Sequence, residues 1–211
     1  MMTHARTRPR RVSMEELRAR LGQPDDMVTA LKSGVSIDQH MHRFIAHSPY
    51  LSMATSDAAG RADCSPRGDF PGFVKVLDER TLAIPDRPGN KIADAFRNLD
   101  ENDGIGLLFL IPGVSEVLRV NGSAYATDDP DVLTRMRVNG KDAQFALIVE
   151  VEQAFFHCGR ALLRSRLWDP DSQALAAEIP SVGEIAAAQS GLDIDPAWLE
   201  RELQAGYRKL Y

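Results

Sequence analysis

Four short β-compatible segments between residues 51 and 85 are separated only by tight turns or a short loop. This spacing constrains the fold more than any other feature of the chain. The segments are LSMATS (51–56), RADCS (61–65), GFVKVLD (72–78) and TLAIP (81–85). Asp57-Ala58-Ala59-Gly60 turns the first into the second, and Asp78-Glu79-Arg80 turns the third into the fourth. Parallel neighbours would need a crossover of roughly a dozen residues or more. These connections are too short for that, so the strands must pair antiparallel.

The later sequence extends the pattern. IGLLFLIP (105–112) is continuously apolar, as in a strand buried on both faces, and residues 116–127 and 145–159 are long strand candidates. Two helical stretches interrupt them. Ile92, Ala95, Phe96 and Leu99 recur at helical spacing within residues 90–99, and residues 128–136 start with aspartates followed by Pro130. The middle of the chain is thus a small antiparallel barrel of about six strands, a β-rich α+β fold with flanking helices. Ahead of it, Ser13 and Glu16 form a capping-box pattern before Leu17 and Leu21, and Gly22 and Pro24 stop that helix. Ile37, Met41, Phe44 and Ile45 make a second apolar helical stripe, broken at Ser48-Pro49. A helix over 161–168 ends at Asp169-Pro170, and two more helical patterns lie around 173–189 and 196–210. The expected organisation is an N-terminal arm and helix (1–35), a barrel domain (36–170) and a helical appendage (171–211).

Several functions are excluded. A net charge of −5 argues against a general nucleic-acid binder, although Arg6, Arg8, Arg10 and Arg11 form a basic N-terminal arm. Cys64 and Cys158 are the only two cysteines, so neither a structural zinc site nor a disulfide scaffold is expected. No apolar stretch reaches the roughly 18 residues of a membrane span, and no secretory h-region follows the arm. The expected setting is cytoplasmic. RGD at 67–69 therefore has no adhesive context. His157 and Cys158 are adjacent on a strand and point to opposite faces, so they do not form a base and nucleophile. His40, His42 and His47 lack a third metal ligand, and Gly104-x-Gly106 lacks the third glycine of a dinucleotide fingerprint. No metal site is expected.

What remains is basic. Arg67 and Lys75 flank the loop in CSPRGDFPGFVKV (64–76). In IPDRPGNK (84–91), Arg87 and Lys91 flank the expected helix start that Asn90 would cap. Such a start suits an anion, because its N–H groups are unpaired and carry partial positive charge. Arg119 shares a strand face with Val117 and Asn121, and Arg160 and Arg164 form an i, i+4 pair with Trp168 a turn further on. Arginines converging from a loop, a helix start and a strand fit a phosphate monoester, which takes several charge-assisted donors.

These segments together resemble the pyridoxamine 5'-phosphate oxidase-like flavoproteins, the FMN-binding split-barrel superfamily, and within it a bacterial branch. The likeness is carried by SPRGDFPGFVKVLD (65–78), TLAIPDRPGNKIADAFRNL (81–99), IGLLFLIPG (105–113), LRVNGSAYATDDP (118–130) and FFHCGRALLRSRLWDP (155–170). It implies a six-stranded antiparallel split barrel that forms a homodimer with FMN at the subunit interface, acting with a small-molecule substrate or reductant. It implies cofactor contacts from Ser65, Arg67 and Lys75 in the first motif, and from Arg87, Asn90 and Lys91 in the second. Backbone at Ile84, Pro85 and Asp86 would lie along the isoalloxazine ring. Arg119, and Arg160, Arg164 and Trp168 from either subunit, would complete the site. The chain departs from the oxidase proper at Gly89-Asn90-Lys91, where a Ser-Arg-Lys is usual, and near the chain end, so vitamin B6 oxidation is not implied. Related barrels take F420 or haem, for which His157 is a conceivable ligand. A non-catalytic flavin-binding sensor is the third alternative.

Overall fold

Asp57 makes the first hairpin. Its Oδ1 accepts the N–H groups of Ala59 and Arg61, its Oδ2 accepts Arg61 Nε at 2.5 Å, and Gly60 takes a left-handed φ of 77°. The turn brings β1 (Tyr50–Ser56) against β2 (Ala62–Gly68), from Ser56 opposite Ala62 to Tyr50 opposite Gly68. The fold, seen in a computed structural model, is described for residues 9–211, so Arg6 and Arg8 of the basic arm lie outside the described residues.

The remaining strands are β3 (Lys75–Asp78), β4 (Thr81–Pro85), β5 (Gly104–Leu110), β6 (Val117–Thr127) and β7 (Ala146–His157). All join one antiparallel sheet in the order β2-β1-β5-β6-β7-β4-β3. The sheet has seven strands, not the six expected, and backbone hydrogen bonds do not close it. β3 is only four residues long, and the turn at Asp78 folds it onto β4 as an edge. The 72–78 strand expected from sequence starts late because the Phe73 N–H turns back to the Phe70 carbonyl and Gly72 has a φ of 78°. β2 runs on to Gly68 through Pro66, which an edge strand tolerates because no partner needs that missing N–H.

Alternation along the strands puts apolar side chains on the enclosed face. Leu51, Met53, Phe109, Leu118, Val120 and Val149 meet there in one core, each contributing about 2 kcal/mol on burial. α3 (Gln39–His47) covers it with Met41 and Ile45, the stripe expected from sequence. α4 (Asp94–Glu101) adds Ala95 and Leu99 and fixes Asn98 Nδ2 on Thr55 Oγ1 at 3.0 Å. A second cluster lies behind β4 and β7, where Ala83, Ala146 and Ile148 sit under Leu133 and Met136. Those two come from α5 (Pro130–Leu133), capped by Asp129 as its sequence suggests, and from the 3₁₀ turn Thr134–Met136. β6 and β7 shift register between Asn121 and Gly122, where the backbones approach so closely that a Cβ on Gly122 would lie 1.9 Å from the Glu150 carbonyl oxygen.

Helices flank the sheet at both ends of the chain. α1 (Met14–Leu21) starts at the Ser13/Glu16 capping box, and α2 (Asp26–Leu31) follows. After β7 come α6 (Arg160–Ser165), a 3₁₀ segment (Pro170–Glu178), α7 (Val182–Ser190) and α8 (Pro196–Tyr207). The helix expected over 173–189 is thus split at Pro180, and a new capping box of Ser181 and Glu184 starts α7. α7 and α8 pack at Gly183, where a Cβ would fall 2.4 Å from the Pro196 carbonyl oxygen. The Glu200 carboxylate accepts the Gly183 N–H at 2.7 Å. Among the described residues, no helix is long and apolar enough to cross a membrane.

Candidate functional site

The inward row of β2 is polar from end to end. Asp63, Ser65 and Arg67 lie between exposed neighbours and pair with Thr55, Met53 and Leu51 of β1. An apolar row here would extend the core; a polar row at the edge of the sheet needs partners. Arg67 finds one, its Nη1 donating to Asp86 Oδ1 at 3.2 Å. Ser65 Oγ and Arg67 Nε do not: both are buried without a hydrogen-bond partner.

Asp86 directly follows β4, so its pairing with Arg67 brings the turn after β4 to the β2 edge. A second pair reinforces the junction one residue on. Arg87 Nε donates to Asp69 Oδ2 at 2.5 Å, and Arg87 Nη2 donates to the Met136 carbonyl at 2.8 Å. Two arginines and two aspartates from β2, the loop after it and the turn after β4 thus form one cross-linked group. Asp69 lies deepest, with its side chain 1% exposed. Its Oδ1 accepts the Phe70 N–H at 2.7 Å and the Tyr211 hydroxyl. Burial pushes the Asp69 carboxyl up, but donors from Tyr211, Phe70 and Arg87 outweigh it and hold the group below its ordinary value. The Tyr211 phenol is raised, chiefly because ionisation would give up its hydrogen bond to Asp69.

Other residues singled out from the sequence lie differently. Lys75 Nζ donates to the Gly72 carbonyl at 2.7 Å and lines a cavity of about 280 Å³ with His42, Ala46 and Arg135. No hydrogen bond or ion pair among the described residues links it to Arg67 or Arg87. Ile84 and Pro85 are buried at the end of β4. Asn90 and Lys91 are exposed and do not start a helix. Lys91 has a left-handed φ of 63°, and Asn90 Oδ1 accepts the Ile92 N–H at 2.9 Å, so the chain is still turning. α4 starts only at Asp94, and Ala93 before it provides no side-chain cap. The expected helix-start anion site at 90–91 is therefore replaced by a loop. Arg119 is half-buried on β6, its guanidinium 5.1 Å from the centre of the Phe155 ring. Arg160 and Arg164 are exposed on α6, and Trp168 Nε1 donates to the Val114 carbonyl at 2.8 Å. Among the described residues, no group of three His, Cys, Asp or Glu side chains could hold a metal ion.

Asp69 and Tyr211 escaped the sequence reading. Asp69 had a signal, an acidic residue in a turn that also carries Arg67. Tyr211 had none, because nothing local ties residue 211 to residue 69.

The arrangement can bind an anion: two arginines share a junction with two buried donors that lack acceptors. A family model described as pyridoxamine 5'-phosphate oxidase matches residues 37–190. The chain belongs to the pyridoxamine 5'-phosphate oxidase family. No curated protein matches it. Solved structures similar to this family member include HupZ of Group A Streptococcus, at 18% identity and a TM-score of 0.47, covering 57% of this chain and 93% of that one. The haem storage protein HutZ of Vibrio cholerae is 15% identical with a TM-score of 0.41, over 58% and 94% of the two chains. An FMN-binding protein of Syntrophomonas wolfei is 12% identical with a TM-score of 0.43, over 68% and 95%. One is described by haem and another by FMN, so the likeness does not choose a ligand for this chain.

Proposed function

We propose that the protein is an FMN-binding oxidoreductase of the split-barrel type. It would act as a homodimer with two flavins at the subunit interface. The observation that carries this reading is the pair of buried, unpartnered donors Ser65 Oγ and Arg67 Nε on the inward row of β2. Leaving both unpaired costs about 1–3 kcal/mol each. A phosphate oxygen is an acceptor that would satisfy both, and a flavin mononucleotide brings one. Arg67 and Arg87 supply the charge, and their aspartate partners hold the guanidinium planes in place. Ser65, Arg67 and Arg87 form the centre of the phosphate site, with Asn90 and Lys91 on the adjoining loop. The Ile84–Asp86 backbone would border the ring.

When bound, FMN supplies the hydride or electron transfer, which needs no protein nucleophile. The chain's own residues bind, orient and shield. The dimer reading is supported by the outer face of the sheet, where Leu108 and Leu110 are half-buried and Tyr50 is exposed opposite Leu110.

The test is reconstitution. The purified protein is mixed with FMN, desalted, and its visible spectrum and sedimentation recorded, with F420 and haem in parallel. A retained flavin spectrum in a dimer is expected. Retention of haem or F420 in place of FMN, or of no ligand, overturns the reading.

A further inference from the structure

Arg87 and Asp69 are joined by one hydrogen bond and not by a closed fork. An arginine beside a carboxylate ordinarily closes a two-bond fork, with Nε and the neighbouring Nη on the two oxygens. Two pairs elsewhere in this chain use those two donors on one aspartate, Arg137 with Asp142 and Arg166 with Asp169. Arg87 does not. Its Nε is on Asp69 Oδ2, but its Nη2 goes to the Met136 carbonyl, and Asp69 Oδ1 is filled by the Phe70 N–H and the Tyr211 hydroxyl. Arg87 Nη1 has no hydrogen-bond partner among the described residues. The Tyr211 ring is held separately, parallel to the Phe70 ring at 5° with centroids 6.3 Å apart.

We propose that Tyr211 is a positioning residue for the phosphate site: by occupying Oδ1 of Asp69 it prevents the closed fork and leaves Nη1 of Arg87 available to the phosphate. This rests on the FMN reading above. Without the hydroxyl, a buried carboxylate oxygen loses a donor. Arg87 Nη2, on the same guanidinium as the bonded Nε, would then leave Met136, close the fork and rotate Nη1 away. The stacking on Phe70 makes the role separable, because phenylalanine at 211 keeps the ring contact and removes only the hydroxyl.

The experiment titrates FMN and riboflavin, which lacks the phosphate, against wild type, Tyr211→Phe, Asp69→Asn and the double variant. Tyr211→Phe is expected to weaken FMN about tenfold, the scale of one charge-assisted hydrogen bond, with riboflavin unchanged. In the Asp69→Asn background the same substitution should have no effect, since an amide cannot form the charged fork. Equal loss of both flavins, no loss of either, or additive effects of the two substitutions would overturn the role while leaving the FMN reading standing. If Asp69→Asn does not fold, the FMN-to-riboflavin ratio of Tyr211→Phe decides alone. A wild type that binds neither flavin overturns the FMN reading and this role with it.

Discussion

Arg67 Nη1 stands 3.2 Å from Asp86 Oδ1, and this pair joins the β2 edge of the sheet to the end of β4, five places away in the strand order. Side chains make a junction there that the backbone does not. The two side chains are 21% and 32% exposed, so the pair itself adds at most about 1 kcal/mol to stability. Its significance is placement. It sets Arg67 beside the turn carrying Arg87, and the core strands hold both ends.

Replacing Arg67 tests the phosphate site directly. Arg67→Met keeps the aliphatic stem and removes every donor. FMN affinity should fall by about 1–3 kcal/mol, the worth of a charge-assisted hydrogen bond, while riboflavin binding stays level. Flavin fluorescence quenching reads both. Equal affinity for FMN in variant and wild type would remove Arg67 from the site.

The docking of Tyr211 should be flat near neutrality and fail at both extremes. Asp69 titrates below its ordinary value of about 4. Its stabilising contribution is therefore full above that value and lost as pH falls through the depressed one. Tyr211 titrates above its ordinary value of about 10. Its contribution is full below that value and lost as pH rises through the raised one. Ring-proton shifts of Tyr211 against Phe70 would follow both limits. A docking change between pH 6 and 8 would contradict the assignment.

Gly122 should tolerate no side chain. An added Cβ would meet the Glu150 carbonyl oxygen at 1.9 Å, and that oxygen belongs to backbone that cannot swing aside. Gly122→Ala is expected to cost about 2–4 kcal/mol, the range of severe core strain. Urea denaturation measures it, and a loss under about 1 kcal/mol would mean that the bulge relaxes more easily than packed strands normally do.

Thr55 and Asn98 form a buried polar pair between β1 and α4, 6% and 5% exposed, with Nδ2 to Oγ1 at 3.0 Å. Thr55→Val leaves the amide unpaired and should cost about 1–3 kcal/mol. Adding Asn98→Leu should cost less than the sum of the single changes, because neither polar group is then stranded. Thermal unfolding of the four proteins completes the cycle, and strict additivity would show that the contact carries no coupling.

Local patterns in the sequence were reliable guides to the elements. The stripe of Met41 and Ile45, the Asp57–Gly60 turn, the Asp129-Pro130 helix start and the Ser13 capping box all appear as the residues suggest. The failures have two physical origins. Apolar periodicity over residues 90–99 continues a helix pattern backwards past its true start, because Ile92, although spaced for the core, is exposed in a loop that turns at Lys91. The other origin is distance along the chain. Arg67 with Asp86, Arg87 with Met136, and Asp69 with Tyr211 are juxtaposed by sheet curvature and by the returning tail. The sequence shows which of these residues carry charge or a hydroxyl; it cannot show which groups, the Met136 carbonyl included, face one another. Ser65 comes from the family resemblance, and the fold adds that its buried hydroxyl has no acceptor.

After β7 the chain is pinned to the loop between β5 and β6, where Trp168 is hydrogen-bonded to Val114, and to the loop after β2, where Tyr211 meets Asp69. The helical hairpin between them is a tether. A phenol on such a tether meets Asp69 as an intramolecular ligand, at an effective concentration on the order of millimolar. It rebinds far faster than any partner arriving from solution at lower concentration. A molecule arriving beside Arg87 would therefore find Asp69 already occupied and the guanidinium already set, because the group that fills that carboxylate never diffuses away.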